Sequence, residues 1–258
     1  MRNYISILFA SLVLLMANLF GSSKEIAPLV VGTASGYAPF VSLNNKGEYE
    51  GFDIDIAKEV ARILSRPLIL KDCGSMPSLM LALKQKQVDA IIWAISITEE
   101  RQKTIELIYY QGDKVDVVPL IFWNRIPEEI KSLSDLGKNQ KKPICIEAGS
   151  YQEGIFNTDP TIPLKYFGSI NDVILDLKSG KPLASSMDPS LIPRFKEKYP
   201  QLQVLSLALP KEMQSQGNGI GVNKANEKLA AQIRKAVQTL KEEGVIFQLE
   251  KKWGLRND

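Results

Sequence analysis

From Leu29 onward the chain alternates short apolar runs with amphipathic ones, and that alternation leaves few folds open to it. Residues 29–33 read as a strand, and residues 53–64 carry Ile54, Ala57, Val60, Ala61 and Leu64 at the spacing of one helix face. Residues 68–70 read as a strand again, followed by a helix over about 77–84 and a strand over 88–93. Such alternation predicts an α/β fold with parallel-rich sheets, whose ligands bind beyond the carboxyl ends of the strands. Residues 32–37, 73–76 and 93–96 all fall at such ends. After an apolar run over 115–123 a second series begins: strand 144–147, a helix from 151, strand 164–167, helix 170–178, strand 183–187, helix 191–199 and strand 203–207. A glycine-bearing strand over 218–222 and amphipathic helices over 227–240 and 245–252 close the chain. The pattern predicts two α/β lobes, residues 24–116 with 218–258 and residues 117–217, joined by two crossings that act as hinges around a cleft.

The chemistry gathers where the strand ending at Trp93 runs into Ala94-Ile95-Ser96-Ile97-Thr98-Glu99-Glu100-Arg101. Thr98 followed by acids is the pattern of a helix N-cap. Ser96 and Arg101 then meet where free backbone N–H groups and the helix dipole favour an anion, and a planar guanidinium grips both oxygens of a carboxylate. A plainer reading is also open: Thr98 is an ordinary cap, and Arg101 pairs with Glu99 or Asp55 on the surface.

Composition narrows the chemistry. The sequence has no histidine, which removes Ser-His-Asp, Cys-His and histidine-based zinc sites. A net charge of +3, with basic residues scattered among acids, gives no footprint for nucleic acid. At 258 residues, 45% of them hydrophobic, the chain can bury the core of two ordinary lobes. Residues 1–23, with Arg2, an apolar run from Ile5 to Phe20 and then Gly21-Ser22-Ser23, have the layout of a signal peptide. Export to the periplasm is therefore expected, with retention as an uncleaved membrane anchor the other reading. The two cysteines, Cys73 and Cys145, make no disulfide framework and are expected as free thiols. No metal or cofactor is expected.

An ordered series of motifs carries a resemblance. Val31-Gly-Thr33 with Tyr37-Ala-Pro-Phe40, Gly51-Phe-Asp-Ile-Asp-Ile-Ala57, Val88-Asp-Ala-Ile-Ile, Ser96-Ile-Thr-Glu-Glu-Arg101, Gly149-Ser-Tyr-Gln152 and the terminal Gly244-Val-Ile-Phe-Gln-Leu-Glu-Lys-Lys-Trp253-Gly stand in this order. Together they resemble family 3 extracellular solute-binding proteins, the polar amino-acid receptors of ATP-driven importers, and run to the arginine-receptor branch described in chlamydiae. The resemblance implies a two-lobed periplasmic-binding-protein fold of type II, each lobe a mixed, mostly parallel sheet flanked by helices. It implies a monomeric receptor, not an enzyme, that captures a polar L-amino acid, basic ones among the candidates, and delivers it to an inner-membrane ABC permease. Arg101 would clamp the ligand α-carboxylate, with Ser96 and the amides around Ser150, Tyr151 and Gln152 completing the anion site. Asp188 would take the α-ammonium, and equally reads as a helix N-cap. Tyr37 and Met76 would flank the ligand side chain, although Met76 also suits plain core packing.

Ala34, Trp93 and Ala94 depart from the family pattern. Ala34 stands where basic-ligand receptors often carry an acid, which weakens an arginine assignment. Glu147, at a strand end in the second lobe, can supply the missing charge, or be solvated or paired with Lys142. Trp93 and Ala94 replace a usual small pair: Ala94 keeps close backbone approach, and Trp93 either narrows the pocket or packs beneath it. Competing readings are an enzyme resembling cyclohexadienyl dehydratases, with Glu147 as general acid, and a membrane-retained sensor.

Overall fold

The computed structural model describes residues 26–138 and 141–256; the expected signal peptide lies outside the described residues. Twelve strands and eight α-helices follow in order among these residues. Strand β1 is Leu29–Thr33, and the short pair β2 (Ser42–Leu43) and β3 (Tyr49–Glu50) leads into helix α1, Phe52–Ile63. Next come β4 (Leu68–Asp72), α2 (Met76–Lys84), β5 (Ala90–Ser96), α3 (Glu99–Thr104) and β6 (Glu106–Gln111). The chain then forms β7 (Val117–Trp123), β8 (Ile144–Glu147), α4 (Tyr151–Phe156), β9 (Leu164–Phe167), α5 (Ile170–Lys178), β10 (Ala184–Ser185), α6 (Ile192–Lys198) and β11 (Leu202–Ala208). It ends with β12 (Asn218–Val222), α7 (Glu227–Glu242) and α8 (Val245–Lys252).

Two five-stranded sheets result, in the orders β4-β1-β5-β12-β6 and β11-β7-β10-β8-β9. Each is mixed. The parallel pairings are β1 with β4 and β5 in the first sheet, and β8 with β9 and β10 in the second. The antiparallel pairings belong to the strands that carry the chain between sheets: β12 lies against β5 and β6, and β7 against β10 and β11. Between β6 and β7, and again between β11 and β12, the chain passes from one sheet to the other. These crossings bond to each other, with Val115 N–H donating to the Ser215 carbonyl at 3.0 Å and Ser215 N–H returning the bond at 3.1 Å.

The helices form where an apolar stripe meets a sheet. In α1, Phe52, Ile54, Ile56, Ala57, Val60 and Ala61 are buried, and in α7 Leu229, Ala230, Ile233, Ala236, Val237 and Leu240 do the same. Strand β5 starts two residues later than periodicity predicts. Asp89 closes the turn before it, its Oδ2 accepting the Val30 N–H at 3.1 Å and pairing with Arg66 at 2.8 Å. Of the expected strand 183–187, only Ala184–Ser185 pairs in the sheet.

Helix α1 depends on Gly51, whose φ of 136° suits glycine. A Cβ there would lie 2.0 Å from the Phe40 carbonyl oxygen. Gly51→Ala should therefore lower stability by at least about 2 kcal/mol. Urea unfolding checks this, and a midpoint equal to that of the parent would contradict it.

Candidate functional site

A cavity opens between the two sheets, around the ends of β5 and β8. All eleven site residues read from the sequence line it: Tyr37, Met76, Trp93, Ala94, Ser96 and Arg101 from one side, Glu147, Ser150, Tyr151, Gln152 and Asp188 from the other. Ala148, Ile170, Ser186 and Met187 line it as well. Ser186 and Met187 directly precede Asp188 and were accessible to a reading of that strand end. Ile170, the first residue of α5, carries no local signal.

Arg101 sits in the first turn of α3, capped as expected by Thr98, whose Oγ1 accepts the Arg101 N–H at 3.2 Å. Its guanidinium does not pair with Glu99 or Asp55. Asp55 instead takes Lys252 at 2.7 Å and the Trp253 indole N–H at 2.9 Å. Arg101 Nη1 donates to the Ser96 carbonyl at 3.0 Å, and Nη2 reaches the other sheet to donate to the Gly149 carbonyl at 2.8 Å. Burial draws its pKa down to about 10, the sign of a cation stripped of water without a full counter-charge.

The opposite wall begins at Gly149, held at φ 74°. A Cβ there would lie 3.0 Å from Met76 Cβ and 2.9 Å from Pro77 Cδ, so this loop presses on the start of α2. Ser150 Oγ caps α4 by accepting the Glu153 N–H at 3.2 Å, and the Ser150 N–H goes to the Glu147 carbonyl at 3.2 Å. Tyr151 and Gln152, the first two residues of α4, have backbone N–H groups without a partner inside the helix. The Tyr151 hydroxyl donates to the Met213 carbonyl. Gln152, in the same turn, is buried.

Asp188 lines the cavity and also serves as an N-cap. It caps the turn Pro189–Leu191, with Oδ1 accepting the Ser190 N–H at 2.8 Å and the Ser190 hydroxyl at 2.5 Å. Both bonds fall on Oδ1, so Oδ2 is the oxygen left for the cavity. Burial raises its pKa, against the lowering effect of the Ser190 bonds.

Glu147 is neither solvated nor paired with Lys142. It is 9% exposed, while Lys142 donates to the Gly180 carbonyl at 3.0 Å. Burial alone pushes the Glu147 carboxyl up to about 7. Tyr37 faces it, and burial, followed by the Asp188 and Glu147 charges, holds the phenol well above its usual range and thus protonated. The Tyr37 ring lies 5.1 Å from that of Trp93, tilted by 53°. Trp93 both packs and lines the cavity: it is 6% exposed, and its indole N–H is buried without a partner. Met76 likewise belongs to the core and to the cavity wall.

Both cysteines are free; Cys145 is buried, its thiol 3.3 Å from Asp176 Oδ2. Among the described residues no group of three or more cysteines and carboxylates is placed to hold a metal ion. The cavity thus offers one desolvated cation and two desolvated acids, an arrangement suited to holding a charged small molecule.

Comparison with known proteins places these features in a wider set. The family described as bacterial extracellular solute-binding proteins, family 3, matches residues 29–256. The probable ABC-transporter arginine-binding protein ArtJ of Chlamydia trachomatis serovar D is 32% identical over 92% of this chain and 90% of its own. The ABC-transporter glutamine-binding protein GlnH of Bacillus subtilis is 26% identical over 81% of this chain and 74% of its own. A solved mutant of the arginine-binding protein ArgBP from T. maritima superposes with a TM-score of 0.77 at 28% identity, covering 89% of this chain and 96% of that one.

The buried Glu147 makes a prediction about pH. Its folded pKa, about 7, lies above the unfolded value of 4.5, so folding carries a cost that grows as pH rises from 4.5 to 7 and persists above it. Glu147→Gln removes that cost. The variant should match the parent below pH 4.5, gain on it as pH rises and level off above pH 7, with a ceiling of roughly 3 kcal/mol. Thermal melts across this range check it, and a gap that narrows with rising pH would contradict it.

Proposed function

We propose a receptor function from one premise: this chain belongs to the bacterial extracellular solute-binding proteins of family 3. It binds an amino acid between its sheets and serves an ABC importer, as its relatives ArtJ and GlnH do by name. It is a binding protein rather than an enzyme. The observation that carries this reading is a single cavity in which a guanidinium from one sheet faces a carboxylate from the other.

The α-carboxylate lies against Arg101, Ser96 and the Tyr151 N–H, and the α-ammonium against Asp188 Oδ2. Each end of the zwitterion then meets the charge it needs, and neither is left unpaired at a cost of several kcal/mol. The ligand side chain points to Tyr37, Met76, Trp93 and Glu147. With Arg101 and Asp188 matched to the ligand's α-groups, Glu147 is the acid left over, and a basic side chain supplies its counter-ion. The aromatic faces of Tyr37 and Trp93 attract the same cation. These two features favour a basic amino acid, with arginine the first to test.

The two sheets belong to two lobes, residues 24–116 with 218–258 and residues 117–217, that close on the ligand about the Val115 and Ser215 crossings. Bonds across the cleft hold the closed form: Arg101 to the Gly149 carbonyl, and Arg194 Nη1 to the Ala38 carbonyl at 3.1 Å. A ligand touching both walls shifts the balance toward closure. The closed form is what the permease receives, outside the cytoplasmic membrane, after residues 1–23 have directed export.

A thermal-shift screen of the proteinogenic amino acids should raise the melting temperature with one small group, basic members first, because a ligand that binds only the folded state stabilises it. Arg101→Ala should then weaken that ligand by at least about tenfold in calorimetry. Unchanged affinity would refute the assigned clamp.

A further inference from the structure

The cavity wall beside Trp93 departs from regular strand pairing. Gly219 of β12 lies opposite Ile95 of β5, and Gly221 opposite Ile91. Between those pairs β5 spends Ile92, Trp93 and Ala94 where β12 spends Ile220 alone, so β5 bulges. Ala94 sits at φ 43°, a left-handed geometry that a residue with a Cβ adopts only when its surroundings impose it.

A bulge frees backbone groups from the ladder, and buried ones need other partners. Here they have them. The Ala94 N–H donates to Asp53 Oδ2 at 2.7 Å, and the Ile92 carbonyl accepts from the Thr33 hydroxyl at 2.8 Å. Asp53 Oδ1 in turn accepts from the Tyr110 hydroxyl at 2.6 Å. Asp53 and Thr33 are both 0% exposed, and Tyr110 is 1% exposed. Asp53 stands in the first turn of α1, yet both of its bonds leave the helix, one for β5 and one for β6. This is an expensive place for an acid: burial pushes its carboxyl up to about 7 despite the two bonds. An apolar residue would satisfy helix packing without that cost, so the acid is explained by what it holds.

We infer that Asp53 is a positioning residue of the ligand site: with Thr33 and Tyr110 it fixes the Ile92–Ala94 bulge in the form that sets Trp93 and the Ala94 backbone against the cavity. Asp53 does not line the cavity and acts through β5. The inference rests on the amino-acid-binding reading above. It assigns affinity to a buried trio one layer behind the ligand.

The test uses the full chain, with L-arginine, L-histidine and L-glutamine as calorimetric probes, and amide hydrogen exchange at residues 92–96 without ligand. Asp53→Ala leaves the Ala94 N–H and the Tyr110 hydroxyl unpartnered. In Asp53→Asn the amide oxygen accepts from Ala94 and the amide nitrogen donates to the Tyr110 oxygen, so the bulge survives. Asp53→Ala should weaken the tightest probe by at least about tenfold and speed exchange at Ala94, with Asp53→Asn restoring both to within about threefold of the parent. Parental affinity and exchange in Asp53→Ala would overturn the inference, as would an Asp53→Asn variant as impaired as Asp53→Ala. If Asp53→Ala does not fold, Thr33→Val carries the test by cutting only the Ile92 bond; faster exchange at 92–96 with weaker binding supports the inference, and no change in either overturns it. Arg101→Ala, measured alongside, separates the two layers of the argument. Loss of binding there with none in Asp53→Ala sinks only the positioning role, whereas parental binding in Arg101→Ala sinks the site itself.

Discussion

The structure is organised around a cation that makes no ion pair among the described residues. Arg101 is drawn out of water between two sheets, and its guanidinium is met by two backbone carbonyls, Ser96 and Gly149, in place of a carboxylate. Carbonyl dipoles hold the fork in position but do not cancel its charge, and the lowered pKa reports the deficit. A bound carboxylate removes it. Because one of the two carbonyls belongs to the loop that follows β8 in the opposite sheet, the same side chain that lines the cavity also joins its two walls.

The remaining parts serve that geometry. Gly51 allows α1 to begin tight against the Phe40 carbonyl, α1 delivers Asp53 under β5, and Asp53 pins the bulge that shapes the wall. Gly149 allows the second sheet's loop to press on Met76 and Pro77, which brings its carbonyl to Arg101. Asp188 spends Oδ1 on capping its own turn, while the residue also lines the cavity. Glu147 is a second carboxyl whose pKa burial pushes up, and it lines the cavity together with Tyr37, Met76 and Trp93.

Much of this was legible in the sequence because it is local. The strand and helix alternation foretold two sheets, the Thr98 cap is visible in Thr-Glu-Glu-Arg, and the strand-end positions of Ser96, Glu147 and Asp188 mark them as cavity residues. What escaped depends on register between distant segments. Strand β6 and the β2 and β3 pair went unread; β6 alternates poorly, its burial set by neighbours on both sides. The bulge in β5 exists only relative to β12, more than a hundred residues away, and Asp53 looked like one more acid in a helix's first turn. Glu147 stands five residues from Lys142, yet the strand between them buries the acid and leaves the lysine to the Gly180 carbonyl. Sequence proximity suggested a pair that the fold separates.

The central claim is that both charges of a zwitterion are matched here, Arg101 to the carboxylate and Asp188 to the ammonium. It is tested most directly by calorimetry with the amino acid that the protein binds best, beside its carboxamide and its N-acetyl derivative. The account predicts that neutralising either end lowers affinity by at least about a hundredfold, since each change leaves one buried charge unmatched. Derivatives that bind as tightly as the free amino acid would contradict it.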